Sequence, residues 1–394
     1  MKKLLYISIL LIMLGCKDEV FDPESSFTKI YDNNRGSEGY YPIDIVASPG
    51  GYVILAGVEN ENSDFLGTKI IHIDTEGNFV KEDDLSSTVV APLGEMISID
   101  SVTYFVGMDP ISFIAMLVTV SDTSSVVTTP LSQITHPLAV NSISNGNLVV
   151  LSYDVDDQLT VFSEFTVAGD IPNGQSVGYT IGAGSDIEAN ILNHYTDPER
   201  SGLPFFCGEW STGQYYFNGV YNYNLSLVFS NFGDAPNGVV QGQSGFNGGF
   251  SSLLPLQGSD FALFGFQFND NFAVPVATLN TSGTTSTVNY LESSISEFKA
   301  RTTAKIIRWQ SDVNYTIIAA ETQSQKIALY FYETTTGSLV GIHKLGYINP
   351  YELSSLMFDA DGGLMILGTT YVADRFKRVF LSKIPEDELR SIIN

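Results

Sequence analysis

Gly363-Leu364-Met365-Ile366-Leu367-Gly368 is an apolar strand closed by glycine, and Arg378-Val379-Phe380-Leu381-Ser382-Lys383-Ile384 after it reads as its partner. The same pattern stands near the other end of the chain. Tyr52-Val53-Ile54-Leu55-Ala56-Gly57 is followed by a short polar loop, Lys69-Ile70-Ile71-His72-Ile73-Asp74, and the turn Thr75-Glu76-Gly77-Asn78. Each phrase is preceded by another apolar stretch, at 43–47 and 353–358. The joints contain paired glycines, Gly50-Gly51 and Gly362-Gly363, which supply the positive φ that short hairpins require.

Weaker copies fill the interval, with second strands expected at 103–107, 148–153, 203–208, 261–265 and 315–320, which makes seven at a spacing of about 45 to 57 residues. Turn signals recur at matching places, in Asn280-Thr281-Ser282-Gly283 and Thr334-Thr335-Thr336-Gly337. A unit of strand, hairpin, strand ending in glycine, loop, strand, turn and outer strand is the blade of a β-propeller. The expected fold is therefore all-β, a single seven-bladed β-propeller over 27–384, and the degenerate middle copies leave six or eight blades open. A pair of β-sandwiches would also give short strands, but sandwiches do not repeat this regularly.

The last unit runs out of chain after its third strand, because Pro385 and the acids Glu386, Asp387 and Glu388 begin a short helical tail at 385–394. The missing outer strand is expected from Phe27-Thr28-Lys29-Ile30-Tyr31, which resembles Leu339-Val340-Gly341-Ile342-His343 ahead of the last blade. Pairing there would protect an otherwise exposed sheet edge.

Ahead of that strand, Lys2 and Lys3 and the apolar run 4–14 read as a secretory signal, too short for the roughly 20 apolar residues of a membrane span. Met13-Leu14-Gly15-Cys16 resembles the lipobox of bacterial lipoproteins. That resemblance implies a signal peptide at 1–15, a covalent lipid on Cys16, and a flexible acidic tether at 16–26. Lys17-Asp18-Glu19 resembles the export signal of Bacteroidota surface lipoproteins and implies display at the outer-membrane surface. In this reading the lipid makes the membrane contact, and the partner is an outer-membrane protein complex.

Formal charge is −25, and −27 once Lys2 and Lys3 leave with the signal, so nucleic acid is excluded as a partner because its phosphates would be repelled. With Cys16 acylated, Cys207 has no disulfide partner and reads as a buried, inert thiol in the apolar run 205–208. His72, His136, His194 and His343 make no metal-ligand spacing. The acidic clusters 81–84, 154–157 and 359–362 are expected in solvated turns, with Asp154, Asp156 and Asp157 as weak calcium candidates and no cofactor otherwise.

Candidate binding residues are Tyr179, Asp186, Phe232, Phe246 and Asn247, in two Gly- and Asn-rich segments, 169–186 and 231–249. Both are expected to link an outer strand to the next inner strand. The aromatic run Tyr215, Tyr216, Phe217, Tyr221 and Tyr223, expected on a third strand, serves packing first. The function expected from these features is a lipid-anchored, non-enzymatic binding or assembly module. The alternative is a polysaccharide hydrolase or lyase, which would show two carboxylates about 5 to 9.5 Å apart at the mouth of the axial channel.

Overall fold

Successive side chains of a strand point to opposite faces, and in Tyr52–Gly57 both faces are buried. Tyr52, Ile54 and Ala56 pack with Met365 and Leu381, whereas Val53 and Leu55 pack with Phe105 and Val118. A strand buried on both faces reads as a continuous apolar run, and here each face meets a different neighbouring sheet. The computed structural model describes residues 26–31, 39–59, 63–121, 126–196, 203–286, 289–346, 349–372 and 376–393. They form a seven-bladed β-propeller. Seven apolar clusters occupy the seven junctions between adjacent blades.

Blade one is a meander of Tyr40–Ser48, Gly51–Val58, Gly67–Ile73 and Phe79–Asp84. Blade seven contains Tyr351–Phe358, Leu364–Val372 and Phe376–Ile384, and its outer strand is Phe27–Tyr31 from the other end of the chain. Phe27 pairs with Lys383 and Tyr31 with Val379, antiparallel, and the hydroxyls of Thr28 and Ser382 meet at 2.8 Å. The ring is closed as the sequence led us to expect. A short helix, α2 (Glu386–Ile392), follows and buries Leu389 at the junction of blades six and seven.

Three regions differ from expectation. In blade four the inner strand is Phe206–Ser211, and the aromatic run lies on the second strand, Gln214–Tyr221, one strand earlier than its sequence suggested. Blade five has three strands. The segment that should supply its fourth instead sends Thr284–Thr285 across to pair, parallel, with Gly238–Val240 of blade four. Edge exposure on Asp270–Thr278 is blunted by Pro275, which donates no hydrogen bond. A helix not anticipated from the sequence, α1 (Ser185–Thr196), joins blades three and four. Its signal was present in Ile187, Ile191 and Tyr195, four residues apart and turned to the core.

The first strands of blades one, three, five and seven share a register slip near their starts. One extra residue stands there on the inner strand, Ile43, Leu138, Ser251 and Ser354 respectively. Bulges bend a strand and re-aim its side chains, and all four extra residues line the axial channel. Beside two of these bulges a glycine stands on the second strand, Gly265 opposite Phe250 and Gly368 opposite Leu353. A Cβ on Gly368 would lie 2.0 Å from the Glu352 carbonyl oxygen, and one on Gly265 would lie 2.4 Å from that of Gly249. The recurring glycine is a close-approach residue that lets the bulged backbone in. Gly368→Ala is expected to cost about 2–3 kcal/mol by overpacking, read as a lower denaturant midpoint at unchanged m value; an unaltered midpoint would contradict this role.

Candidate functional site

Each blade begins at one rim of the disc, where the connections from the preceding blade arrive, and that mouth rim also carries the turns between second and third strands. The opposite rim carries the remaining hairpins. A cavity of about 330 Å³ runs down the axis from the mouth rim and is lined from every blade, by Ile43, Glu95, Leu138, Tyr216, Ser251, Lys305 and Ser354 among others. A second cavity of about 390 Å³ adjoins it between blades six and seven, sharing Glu321 and Glu352. The α1 helix overhangs the blade three and four sector and contributes His194 to the lining.

Charged residues in and beside this lining divide into engaged and unengaged ones. Asp44 follows the bulge of blade one and is buried. Its Oδ2 accepts from the Met96 backbone amide at 2.6 Å, and its Oδ1 accepts from the Ile45 amide at 2.9 Å and from the Ser355 hydroxyl. This carboxylate ties blades one, two and seven together. Burial raises its pKa, opposed by Lys305 and by these donors. At the mouth, Glu352 accepts from Tyr371 Oη at 2.8 Å and pairs with Lys377 at 3.4 Å, while Glu321 pairs with Lys299 at 3.2 Å. Lys377 also stands 4.8 Å from the centre of the Tyr41 ring.

Glu95 is different. It precedes the three-residue inner strand Ile97–Ile99 of blade two, and its carboxylate has no hydrogen-bond or ion-pair partner among the described residues. The residue is exposed to the water of the cavity. Desolvation pushes its pKa up to about 7, with Asp44 adding to the rise and Lys305 opposing it. Burial first and Glu95 second raise the Cys207 thiol, and burial, then Cys207, then Glu95 raise the Tyr216 phenol. Sequence reading missed this set because its members are single residues from separate blades. The available signal was a lone charge in an apolar inner strand, Asp44 between Ile43 and Ile45, and Lys305 between Ala304 and Ile306.

The residues singled out from sequence do not converge. Segments 169–186 and 231–249 are not simple links, for each contains the outer strand of its blade, Ser176–Thr180 and Gly238–Val240. Tyr179 is therefore buried, its hydroxyl 2.8 Å from Ser230 Oγ and 2.9 Å from the Gly233 carbonyl. Phe232 stands on the far rim and stacks on Phe162 at 5.2 Å. Phe246 is buried, and its carbonyl accepts from Arg301 at 2.7 Å. Asn247 is exposed at the mouth rim, and Asp186 lies in the first turn of α1. Tyr215, Tyr216 and Phe217 are core residues.

Asp154 caps its own turn, accepting from the amides of Asp156 and Asp157, and among the described residues no group of three or more His, Cys, Asp or Glu is placed to hold a metal. The 359–362 cluster is a hairpin held by Lys383 at 2.6 and 2.7 Å and by Tyr52 at 2.6 Å. Residues 81–84 lie on the outer strand of blade one rather than in a turn. Cys207 is buried with its thiol 3.6 Å from the Val149 carbonyl. Cys16, Lys17, Asp18 and Glu19 lie outside the described residues.

No protein-family model matches the chain, and no curated protein matches it in sequence. Solved structures of similar fold include the β-propeller domain of the Trilobed protease from Pyrococcus furiosus, described as having an open velcro topology (TM-score 0.47, 11% identity, 87% of this chain and 93% of that one). The acylaminoacyl peptidase of Pyrococcus horikoshii is another (TM-score 0.48, 11% identity, 88% of this chain and 52% of that one). A third is the WD40 domain of Toxoplasma gondii coronin (TM-score 0.41, 9% identity, 92% and 75%). Likenesses at this level concern the fold alone.

Because Glu95 holds its proton more tightly in the folded chain (about 7) than at its ordinary value of 4.5, its contribution to stability is fully present below about pH 4.5. It is lost as pH rises toward 7. Wild type minus Glu95→Gln, followed by denaturant midpoints from pH 4 to 8, is expected to fall across that window and flatten above it. A flat difference would show that the carboxylate is not desolvated.

Proposed function

We propose that this protein is a membrane-tethered, non-enzymatic binding module that presents the mouth of its axial channel away from the membrane, as an accessory subunit of an outer-membrane protein complex. The observation carrying this reading is where the closing strand begins. Phe27 pairs at the far-rim end of blade seven, and the strand is pinned to the 74–78 turn of blade one on that rim. Lys29 Nζ donates to Asn78 Oδ1 at 2.7 Å, and Tyr31 Oη donates to the Gly77 carbonyl at 2.9 Å. A lipid on Cys16 would be eleven residues away, about 40 Å at full extension, and would hold the far rim toward the bilayer. The channel and its adjoining cavity then face outward, and the anchor raises their local concentration at the membrane.

The hydrolase reading needs a second free carboxylate beside Glu95. Its charged neighbour Asp44 is held by three donors, so the channel supports capture better than acid–base chemistry.

The test places a photo-crosslinking amino acid at Ser324, exposed on the mouth rim, or at Thr212, exposed on the far rim, in cells producing the full chain. Adducts with an outer-membrane protein from Ser324 and none from Thr212 are expected. Adducts from Thr212 alone, or recovery of the uncrosslinked protein alone from detergent extracts, would contradict the reading.

A further inference from the structure

Positive charge is distributed unevenly around the ring. Blades two to five, residues 97–278, hold 16 Asp and Glu against one Lys or Arg, Arg200, which lies outside the described residues. Fifteen of the chain's 19 Lys and Arg fall instead at 29–81 and 299–390, where ion pairs such as Lys69–Glu82 and Lys383–Asp359 use them. On the mouth rim of the cation-poor half, the turns between second and third strands are 109–113, 154–158, 222–223 and 268–269. These turns hold large apolar groups out in solvent: Ile111 is 85% exposed, Phe268 59% and Tyr223 50%. Asp156 and Asp157 are exposed beside them.

Backbone contacts tie these turns into one surface. The Phe268 amide donates to the Asn247 carbonyl, and Gly249 just beyond packs on Leu225, two residues from Tyr223. The Tyr223 amide donates to the Ile181 carbonyl at 2.8 Å, and its ring lies so close over Gly182 that a Cβ there would meet it at 2.7 Å. The α1 helix follows, and its Glu188 accepts from Tyr153 Oη at 3.0 Å, next to the blade-three turn. His136 then bridges to blade two, its carbonyl accepting from the Tyr153 amide and its amide donating to the Phe113 carbonyl, both at 3.0 Å. Tyr223 (φ 76°) and Phe268 (φ 57°) occupy left-handed backbone positions, which turns usually give to Gly or Asn. An aromatic side chain held there in solvent is strained without adding to the core, and such strain gathers at binding sites.

Exposed aromatic faces attract Lys and Arg, and apolar contact points set among carboxylates complement a surface that is basic and apolar together. We propose that the mouth rim of blades two to five is the docking surface for a basic protein segment in which Lys or Arg alternate with aliphatic residues. Tyr223, Phe268 and Ile111 take its apolar and cationic side chains, and Asp156 and Asp157 supply the opposing charge. A second copy of this chain does not fit, because the rest of the ring and its flanks, 27–96 and 279–394, hold 24 acids against 15 bases. Arg301, which borders the sector at blade five, is engaged by the Phe246 carbonyl at 2.7 Å and by the Phe266 ring at 4.6 Å. The proposal deepens the reading of the mouth rim as the partner-binding face and rests on it.

The experiment is fluorescence anisotropy of the folded chain with a labelled peptide of four Arg-Gly-Leu-Gly repeats, at low and high salt. Peptides with Glu in place of Arg, and with Ser in place of Leu, are the controls. The Arg–Leu peptide is expected to bind, more weakly at high salt, the Glu–Leu peptide not to bind, and the Arg–Ser peptide to bind at least about threefold more weakly. Asp156→Asn with Asp157→Asn, and Tyr223→Asn with Phe268→Asn, are each expected to weaken the Arg–Leu peptide at least about fivefold. Asn tolerates the left-handed backbone, and an unchanged denaturant midpoint verifies each fold; should one pair misfold, the other decides. Asp387→Asn with Glu388→Gln makes the same change of charge at exposed positions of α2 and is expected to weaken binding less than about twofold. No binding of the Arg–Leu peptide, an equal loss from the α2 pair, or no loss from a folded mouth-rim pair would overturn the proposal. Such a failure with Ser324 adducts intact removes the basic partner and leaves the tethered-module reading standing, whereas peptide binding with adducts from Thr212 alone removes the membrane orientation instead.

Discussion

A ring of open sheets is held together only if its last sheet meets its first, and in this chain that junction depends on one five-residue strand. Phe27–Tyr31 completes blade seven, while its Lys29 and Tyr31 side chains reach the 74–78 turn of blade one. The strand therefore bridges the two ends of the circle by backbone ladder and side chain together. Blades one and seven also share an apolar cluster of Ile54, Ile71, Leu367 and Val379, and the Tyr52 hydroxyl reaches Asp359 across the same junction. Without the ladder this cluster would sit at a free edge, and the inner strands of the other blades would lose the constraint that keeps them around one axis.

The channel follows from that closure and from a repeated local device. In blades five and seven a glycine of the second strand admits the bulged inner strand, and the bulges of blades one, three, five and seven each place one extra residue in the channel lining. Asp44 sits one residue beyond such a bulge and fastens three blades together. Glu95 and Lys305 project into the space that remains. A structural charge thus lies beside the cavity and an unengaged one in its lining, distinguished by how many donors surround each.

Much of the architecture was legible in the sequence, for a definite reason. Strands buried on both faces are continuous apolar runs, and tight glycine turns mark their ends, so blades one and seven and the closing strand could be read directly. Blade four was read one strand out of register because Phe205-Phe206-Cys207-Gly208 has the apolar, glycine-ended form of a second strand while serving as a first. In blade five the fourth strand is replaced by a detour to a neighbouring sheet, a non-local choice that no local pattern announces. The binding residues fared worse. Tyr179 and Phe246 lie in Gly- and Asn-rich sequence but belong to buried positions, and a strand hidden inside such a segment carries too few apolar residues to stand out. The channel charges were invisible because each comes from a different blade, and only the circular arrangement brings them together.

The central claim is that the first strand of the described chain lies beside the last, in the register that sets Thr28 opposite Ser382. A disulfide between cysteines placed at these two positions tests it most directly, since facing residues of an antiparallel pair suit disulfide geometry. Thr28→Cys combined with Ser382→Cys should form an intramolecular disulfide on mild oxidation of the folded protein and raise its thermal midpoint. The same pair should stay reduced when Ser382→Cys is replaced by Arg378→Cys, outside the register. Free thiols in the Thr28–Ser382 pair, or equal crosslinking at both positions, would contradict a ring closed by this strand.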